Sequence, residues 1–222
     1  MTRHSLFRLL AAWLTGSLLA LGNTGLPASE AAATIANGFS QAAGLTAWQM
    51  PFPEDWELRS DGGVPYLHMK RSREPGIPRR PIQFALLKNV DAGSFTLDVK
   101  VRRIQGSMII VFNYVDTLHF YYVHLSRDPG VKQPVHNGIF LVDGAPRRRI
   151  AGVEAAPALA DLSWHHVRIV RDVPSGSIQV FVDKETTPRF YTVDRTFTHG
   201  QVGLGSFDET GDFSQFRLQV RN

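Results

Sequence analysis

Met108 to Ser126, MIIVFNYVDTLHFYYVHLS, decides how the rest of the chain is read. It reads as two β-strands joined by a short turn, rich in the β-branched and aromatic residues that fit a pleated, half-buried surface. Strand side chains alternate between the two faces of a sheet. In the first arm Met108, Ile110, Phe112 and Tyr114 therefore oppose Ile109, Val111 and Asn113. The second arm, His119 to Leu125, holds two histidines and two tyrosines in seven residues, more polar chemistry than a buried antiparallel strand needs. Two parities are open for it: Tyr122 and His124 on the polar face, or His119 and Tyr121. The first is preferred because Val123 and Leu125 then extend the core.

Outward from this hairpin the strand signals recur along one regime of composition. Phe95 to Arg103 alternates strictly, with Phe95, Leu97, Val99 and Val101 against Thr96, Asp98, Lys100 and Arg102. A turn at Gln105-Gly106 leads into the hairpin, which puts Lys100 and Arg102 on the strand neighbouring Asn113. Ile139 to Val142 is a further strand. Trp164-His-His-Val-Arg-Ile-Val-Arg171 and Ser177-Ile-Gln-Val-Phe-Val-Asp183 flank a turn at Pro174-Ser-Gly176. Gly200 to Gly205 and Phe213 to Val220 complete the series. Residues 71–81, RSREPGIPRRP, form a basic, proline-rich loop, and 145–162 is the one place where a short helix is expected. Many short strands without a fixed repeat imply an all-β, two-sheet antiparallel sandwich.

The N-terminus has a different character. Arg3 and Arg8 precede the apolar run Leu9–Leu21, and small residues follow at Ala28–Ala33. That order reads as a secretory signal peptide, residues 1–33, with cleavage after Ala31 or Ala33, and the apolar run is short for a membrane span; an uncleaved membrane anchor, using Trp13 and the apolar run, is the alternative. Residues 34–46 read as a lead-in linker and 47–222 as one domain. An exported chain without cysteine fits a bacterial periplasmic or secreted protein, with no disulfide and no membrane span after cleavage. A net charge of +4, mostly scattered, gives no footprint for nucleic acid.

Three segments together resemble the concanavalin A-like lectin/glucanase superfamily, which includes laminin G-like domains. They are the Trp164 hairpin, the glycine-led Gly200-Gln-Val-Gly-Leu-Gly-Ser206, and Phe213-Ser-Gln-Phe-Arg-Leu-Gln-Val220. The chain is also distantly similar to bacterial 3-keto-disaccharide hydrolase domains, although their Asn-Ser-Gly-Ile segment is absent. The resemblance covers roughly residues 45–222 and implies a jelly-roll sandwich whose concave sheet face binds a poly- or oligosaccharide.

The chemistry must then come from residues. A two-carboxylate glycosidase needs paired acids facing one groove. The Glu-x-Asp-x-x-Glu pattern of the superfamily's glucanases is absent, and Asp98 is the one acid in the middle of a strictly alternating strand of the expected concave sheet. Gly-x-Ser-x-Gly, a cysteine nucleophile and His-Glu-x-x-His are absent too. No metal or other cofactor is called for by motif; Asp208-Glu209 and Asp212 read either as turn residues or as calcium ligands. The remaining expectation is a groove with Tyr122 and His124 as its reactive pair, and Lys100, Arg102, Asn113, His119 and His136 as ligand-binding groups. Such a groove suits glycan binding. It also suits proton abstraction and elimination, with His124 or Tyr122 as base and a cation on the developing charge. A protein-binding laminin G-like module, or plain core packing of these rings, are the other readings.

Overall fold

A computed structural model of the chain describes residues 1, 33–37, 39, 44–132 and 136–221. The signal segment lies almost wholly outside the described residues. Among the described residues fifteen strands build two antiparallel sheets. Sheet A runs β13 (Phe190–Val193), β12 (Ser177–Val182), β11 (His165–Asp172), β6 (Ser94–Arg103), β15 (Gly211–Arg221), β4 (Val64–Met69), β3 (Trp56–Asp61). The strand β1 (Ala33–Asn37) pairs with the far half of β15, so the expected lead-in linker begins with a strand. Sheet B runs β10 (Arg148–Ala151), β9 (Gly138–Asp143), β8 (His119–Ser126), β7 (Ser107–Asp116), β14 (Gln201–Ser206), β5 (Gln83–Leu87), β2 (Trp48–Gln49).

The inner faces follow the period-2 pattern. Phe95, Leu97, Val99 and Val101 of β6 meet Met108, Ile110 and Phe112 of β7 and Tyr121, Val123 and Leu125 of β8 in one core between the sheets. Each such side chain contributes roughly 1.5–3 kcal/mol on full burial. Gly200, at φ +142, leads β14 in beneath the irregular end of β7. A Cβ there would fall 2.6 Å from the Asn113 carbonyl carbon, which explains why the residue just before that strand is glycine.

Three expectations change. Residues 145–162 hold no helix: β10 continues sheet B at its edge, and the rest is loop. Next, Ile104-Gln105-Gly106 does not close a hairpin. It carries the chain from β6 in sheet A to β7 in sheet B, which pairs instead with β8 and β14. Finally, β7 and β8 are buried on both faces. On the outer side of sheet B a second cluster of Phe84, Ile109, Val111, Phe120, Tyr122, Phe140 and Phe207 fills the space expected to be an open groove.

Buried polar side chains hold the loops over this cluster. Asp55, fully buried, accepts from Gln83 Nε2 at 2.7 Å and is paired with Arg73, which anchors the basic loop after β4. The Arg147 amide donates to the Arg79 carbonyl at 2.9 Å, joining that loop to the one before β10.

Candidate functional site

Strand parity puts Tyr122 and His124 on the outer side of sheet B, opposite Tyr121, Val123 and Leu125 on the inner side. Both side chains are nevertheless fully buried, because Phe140, Phe207 and the two joined loops cover them. Within this shell the polar groups meet closely. Arg147 Nη1 donates to the Tyr122 hydroxyl at 2.8 Å and faces His124 Nδ1 at 3.4 Å. His124 Nε2 lies 2.8 Å from Ser107 Oγ. A guanidinium has only donors, so Nδ1 facing it is the unprotonated nitrogen and the ring's proton sits on Nε2 toward Ser107. The His136 ring, half-buried, lies 4.9 Å from that of His124. Arg149 fixes the backbone there by donating to the carbonyls of Gly130 and His136 at 2.9 and 3.0 Å.

Arg147 is the group that sequence reasoning missed. It was visible as the first member of the Arg147-Arg148-Arg149 run, but a surface charge run carries no sign of which member turns inward. Its Cζ lies 3.6 Å from the Phe207 ring centre and 5.2 Å from that of Phe140, a cation–π seat. Its Nε and Nη2 are buried with no hydrogen-bond partner among the described residues.

The cluster's electrostatics follow. Burial pushes the Tyr122 phenol up, with the Arg147 charge pulling partly back, so the hydroxyl stays protonated at neutral pH. Burial, and then the Arg147 charge, lower His136 below the usual histidine value, leaving a neutral imidazole that can accept a proton.

The other expected ligand-binding residues lie elsewhere. Lys100 and Arg102 belong to β6 and project from the outer face of sheet A, away from the His124 cluster; the chain crosses between sheets at 104–106. There Arg102 pairs with Asp212 at 2.7 Å, and Asp212 also takes His68 at 2.6 Å. Those two bonds commit Asp212 to the sheet face, apart from Asp208 and Glu209. Among the described residues no group of three His, Asp or Glu side chains is placed to hold a metal ion. Asn113 is fully buried at an irregular point of β7, at φ 43, and its Nδ2 donates to the Ala92 carbonyl at 2.7 Å. It is a clamp on that loop. His119 stands at the mouth of β8 with Asp116 at 2.8 Å. Of the five, the structure brings only His136 to Tyr122 and His124.

No protein-family model matches the sequence, and no curated protein compared with it matches either. Solved structures do match in shape. The carbohydrate-binding module CBM66 from Bacillus subtilis aligns over 78% of this chain and 96% of its own, with a TM-score of 0.56 at 14% identity. Winged bean acidic lectin, complexed with methyl-α-D-galactose, aligns over 86% and 98% with a TM-score of 0.53 at 10% identity. The exoplasmic/lumenal domain of VIP36, in a form bound to Ca²⁺ and Man3GlcNAc, aligns over 85% and 90% with a TM-score of 0.51 at 8% identity. The fold is the concanavalin A-like jelly-roll sandwich. At these identities the likeness concerns the fold alone.

Proposed function

We propose that this chain is an exported carbohydrate-binding domain that takes an acidic sugar unit at Arg147 and His136, the partly buried members of the cluster, with the fully buried Tyr122 and His124 behind them. One observation carries the reading: among the described residues the Nε and Nη2 edge of Arg147 is buried and has no hydrogen-bond partner, while Nη1 is bound to Tyr122. That edge is the two-donor fork whose geometry matches a carboxylate. A desolvated cation with unmade hydrogen bonds is costly, and a uronate carboxylate supplies both acceptors and the opposite charge. The half-buried His136 ring beside it offers a face and a hydrogen-bonding edge for the sugar ring. That a carbohydrate-binding module and a galactoside-complexed lectin share the fold supports glycan as the ligand class. Export rests on the order of charges and apolar residues in 1–33.

Elimination is the second reading, and one geometric fact favours it. A cation and two groups able to handle a proton converge within hydrogen-bond reach, at 2.8 Å and 3.4 Å from a single guanidinium nitrogen. In that reaction an imidazole takes the proton from the carbon next to the uronate carboxylate. The electron pair becomes a carbon–carbon double bond as the glycosidic oxygen leaves, and Arg147 stabilises the charge that develops on the carboxylate. The raised Tyr122 value makes a histidine the better base.

Calorimetric titration with oligogalacturonate and with its carboxyl-reduced, neutral counterpart tests the binding site. The acid form is expected to bind, Arg147→Ala to abolish that binding, and Arg147→Lys, which keeps the charge without the fork, to weaken it. Equal binding of both forms, or binding that survives Arg147→Ala, refutes the reading. New ultraviolet absorbance from an unsaturated uronate, lost in His136→Ala, selects elimination over binding alone.

A further inference from the structure

The geometry points to a second carbohydrate surface: we infer that the outer face of sheet A is an open groove for a neutral oligosaccharide, independent of the Arg147 cluster. The strand pairings place side chains there in rows. Tyr66, Ser214, Lys100 and His166 stand opposite one another across four strands. The Asp183 amide, hydrogen-bonded to the His166 carbonyl at 2.7 Å, continues that row. Three adjoining hollows follow the same direction. The first, of 340 Å³, lies among Asp61, Val64, Tyr66, Lys100 and Trp164. The second, of 620 Å³, shares Lys100 and Trp164 and extends to Asp161, His166 and Lys184. The third, of 300 Å³, shares His166 and Asp183 and ends at Gln179, Phe181 and Glu185. From β3 to β12 the run crosses five strand spacings, about 24 Å at ~4.8 Å each. That length suits a chain of several sugar rings, laid across the strands.

Trp164 is the wall common to the first two hollows. Tyr66 meets it edge-on with ring centres 5.8 Å apart, and Arg102 lies 4.5 Å over the indole. This is an aromatic platform fixed by a guanidinium that Asp212 in turn holds at 2.7 Å. Sugar rings stack on such platforms through their C–H faces. The charge pattern selects a neutral chain. Carboxylates are spread along this face: Arg168 is matched to Asp98 at 2.7 Å, and the His166 and His165 rings meet Asp98 and Asp183, each at 2.9 Å. Lys100 shares its hollow with Asp61. A polyanion would meet Asp61, Asp183 and Glu185 along the way, whereas hydroxyl groups, which donate and accept, satisfy both signs.

Tryptophan fluorescence reads this face directly. Trp48 and Trp56 are each only 3% exposed, so among the described residues Trp164 is the one indole that a surface ligand reaches. The probes are cellohexaose, xylohexaose, mannohexaose and an inulin fraction, titrated into the full chain. At least one is expected to perturb the emission in wild type and not in Trp164→Phe, with affinity rising from disaccharide to hexasaccharide. Tyr66→Ala and the surface variant Lys100→Ala should each weaken it about tenfold, the loss of one aromatic or polar anchor. Arg147→Ala should leave it unchanged, which separates this groove from the uronate site. Silence with all four probes, unchanged affinity in Lys100→Ala, or loss in Arg147→Ala overturns the inference.

Discussion

Replacing Tyr122 by Phe removes one oxygen from the centre of the candidate site and leaves its packing alone. The ring that stacks on Phe140, with centres 5.1 Å apart, is retained. What is lost is the acceptor for Arg147 Nη1 at 2.8 Å. A hydrogen bond to a charged group contributes roughly 1.5–3 kcal/mol. Arg147 as a whole is only partly buried, so water can recover some of that, and a loss of about 1–2 kcal/mol is expected. With a urea slope of about 2 kcal/mol per molar, the midpoint should fall by roughly 0.5–1 M at unchanged slope. Thermal unfolding should shift by about 3–6 °C for a domain of this size. Urea denaturation followed by circular dichroism measures it. An unaltered midpoint would show that the guanidinium is not tied to Tyr122, and the converging cation on which the site depends would be lost with it.

Two further outcomes test the framework around the site. Arg171 is fully buried and donates to the carbonyls of Gly176, Asp194 and Phe197 at 2.7, 2.9 and 2.9 Å. Arg171→Met keeps the stem and strands these acceptors, which should cost about 3–5 kcal/mol. A loss under about 1 kcal/mol by chemical denaturation would contradict that. Asp194 is opposed by burial, which raises its pKa, but the Tyr121 hydroxyl, 2.5 Å away, and the bonds from Thr196 overcome this and hold it below the usual aspartate value. A depressed folded-state value means stability that is present above the unfolded pKa of about 3.9 and is lost as pH falls through the folded value. Tyr121→Phe should therefore lower stability at neutral pH, with the gap to wild type closing below pH ~4. A gap constant down to pH ~2 would count against the Tyr121 bond as its source.

The sandwich was legible because its core strands alternate. β6 shows the pattern without a fault, and the inner faces of β7 and β8 fall where period 2 puts them. The parity of Tyr122 and His124 was legible for the same reason, since Val123 and Leu125 needed a core. Their burial was not. Covering them depends on Phe207 and the loops at 71–82 and 145–147, all distant in sequence, which local periodicity does not reach. The placement of Lys100 and Arg102 beside Asn113 failed at one link. Ile104-Gln105-Gly106 has the length and composition of a hairpin turn, and only long-range pairing of β6 with β11 and β15 shows that it spans two sheets. Arg147 was hidden by its neighbours: three consecutive arginines look alike until a fold turns one of them inward.

Strand β15, the last of the described strands in sequence, lies inside sheet A between β6 and β4, and its far half also carries β1. Until it is in place, β6 and β4 each present an unpaired edge, and no local hairpin can complete that layer. The pairing of Ala33 with Val220 joins positions nearly a whole chain apart. Folding of this kind waits for loop closure over the full length and is correspondingly slow. A chain emerging from synthesis thus stays open, with its aromatic strands unsealed, until residues 211–221 arrive, and it is most exposed to aggregation during that interval.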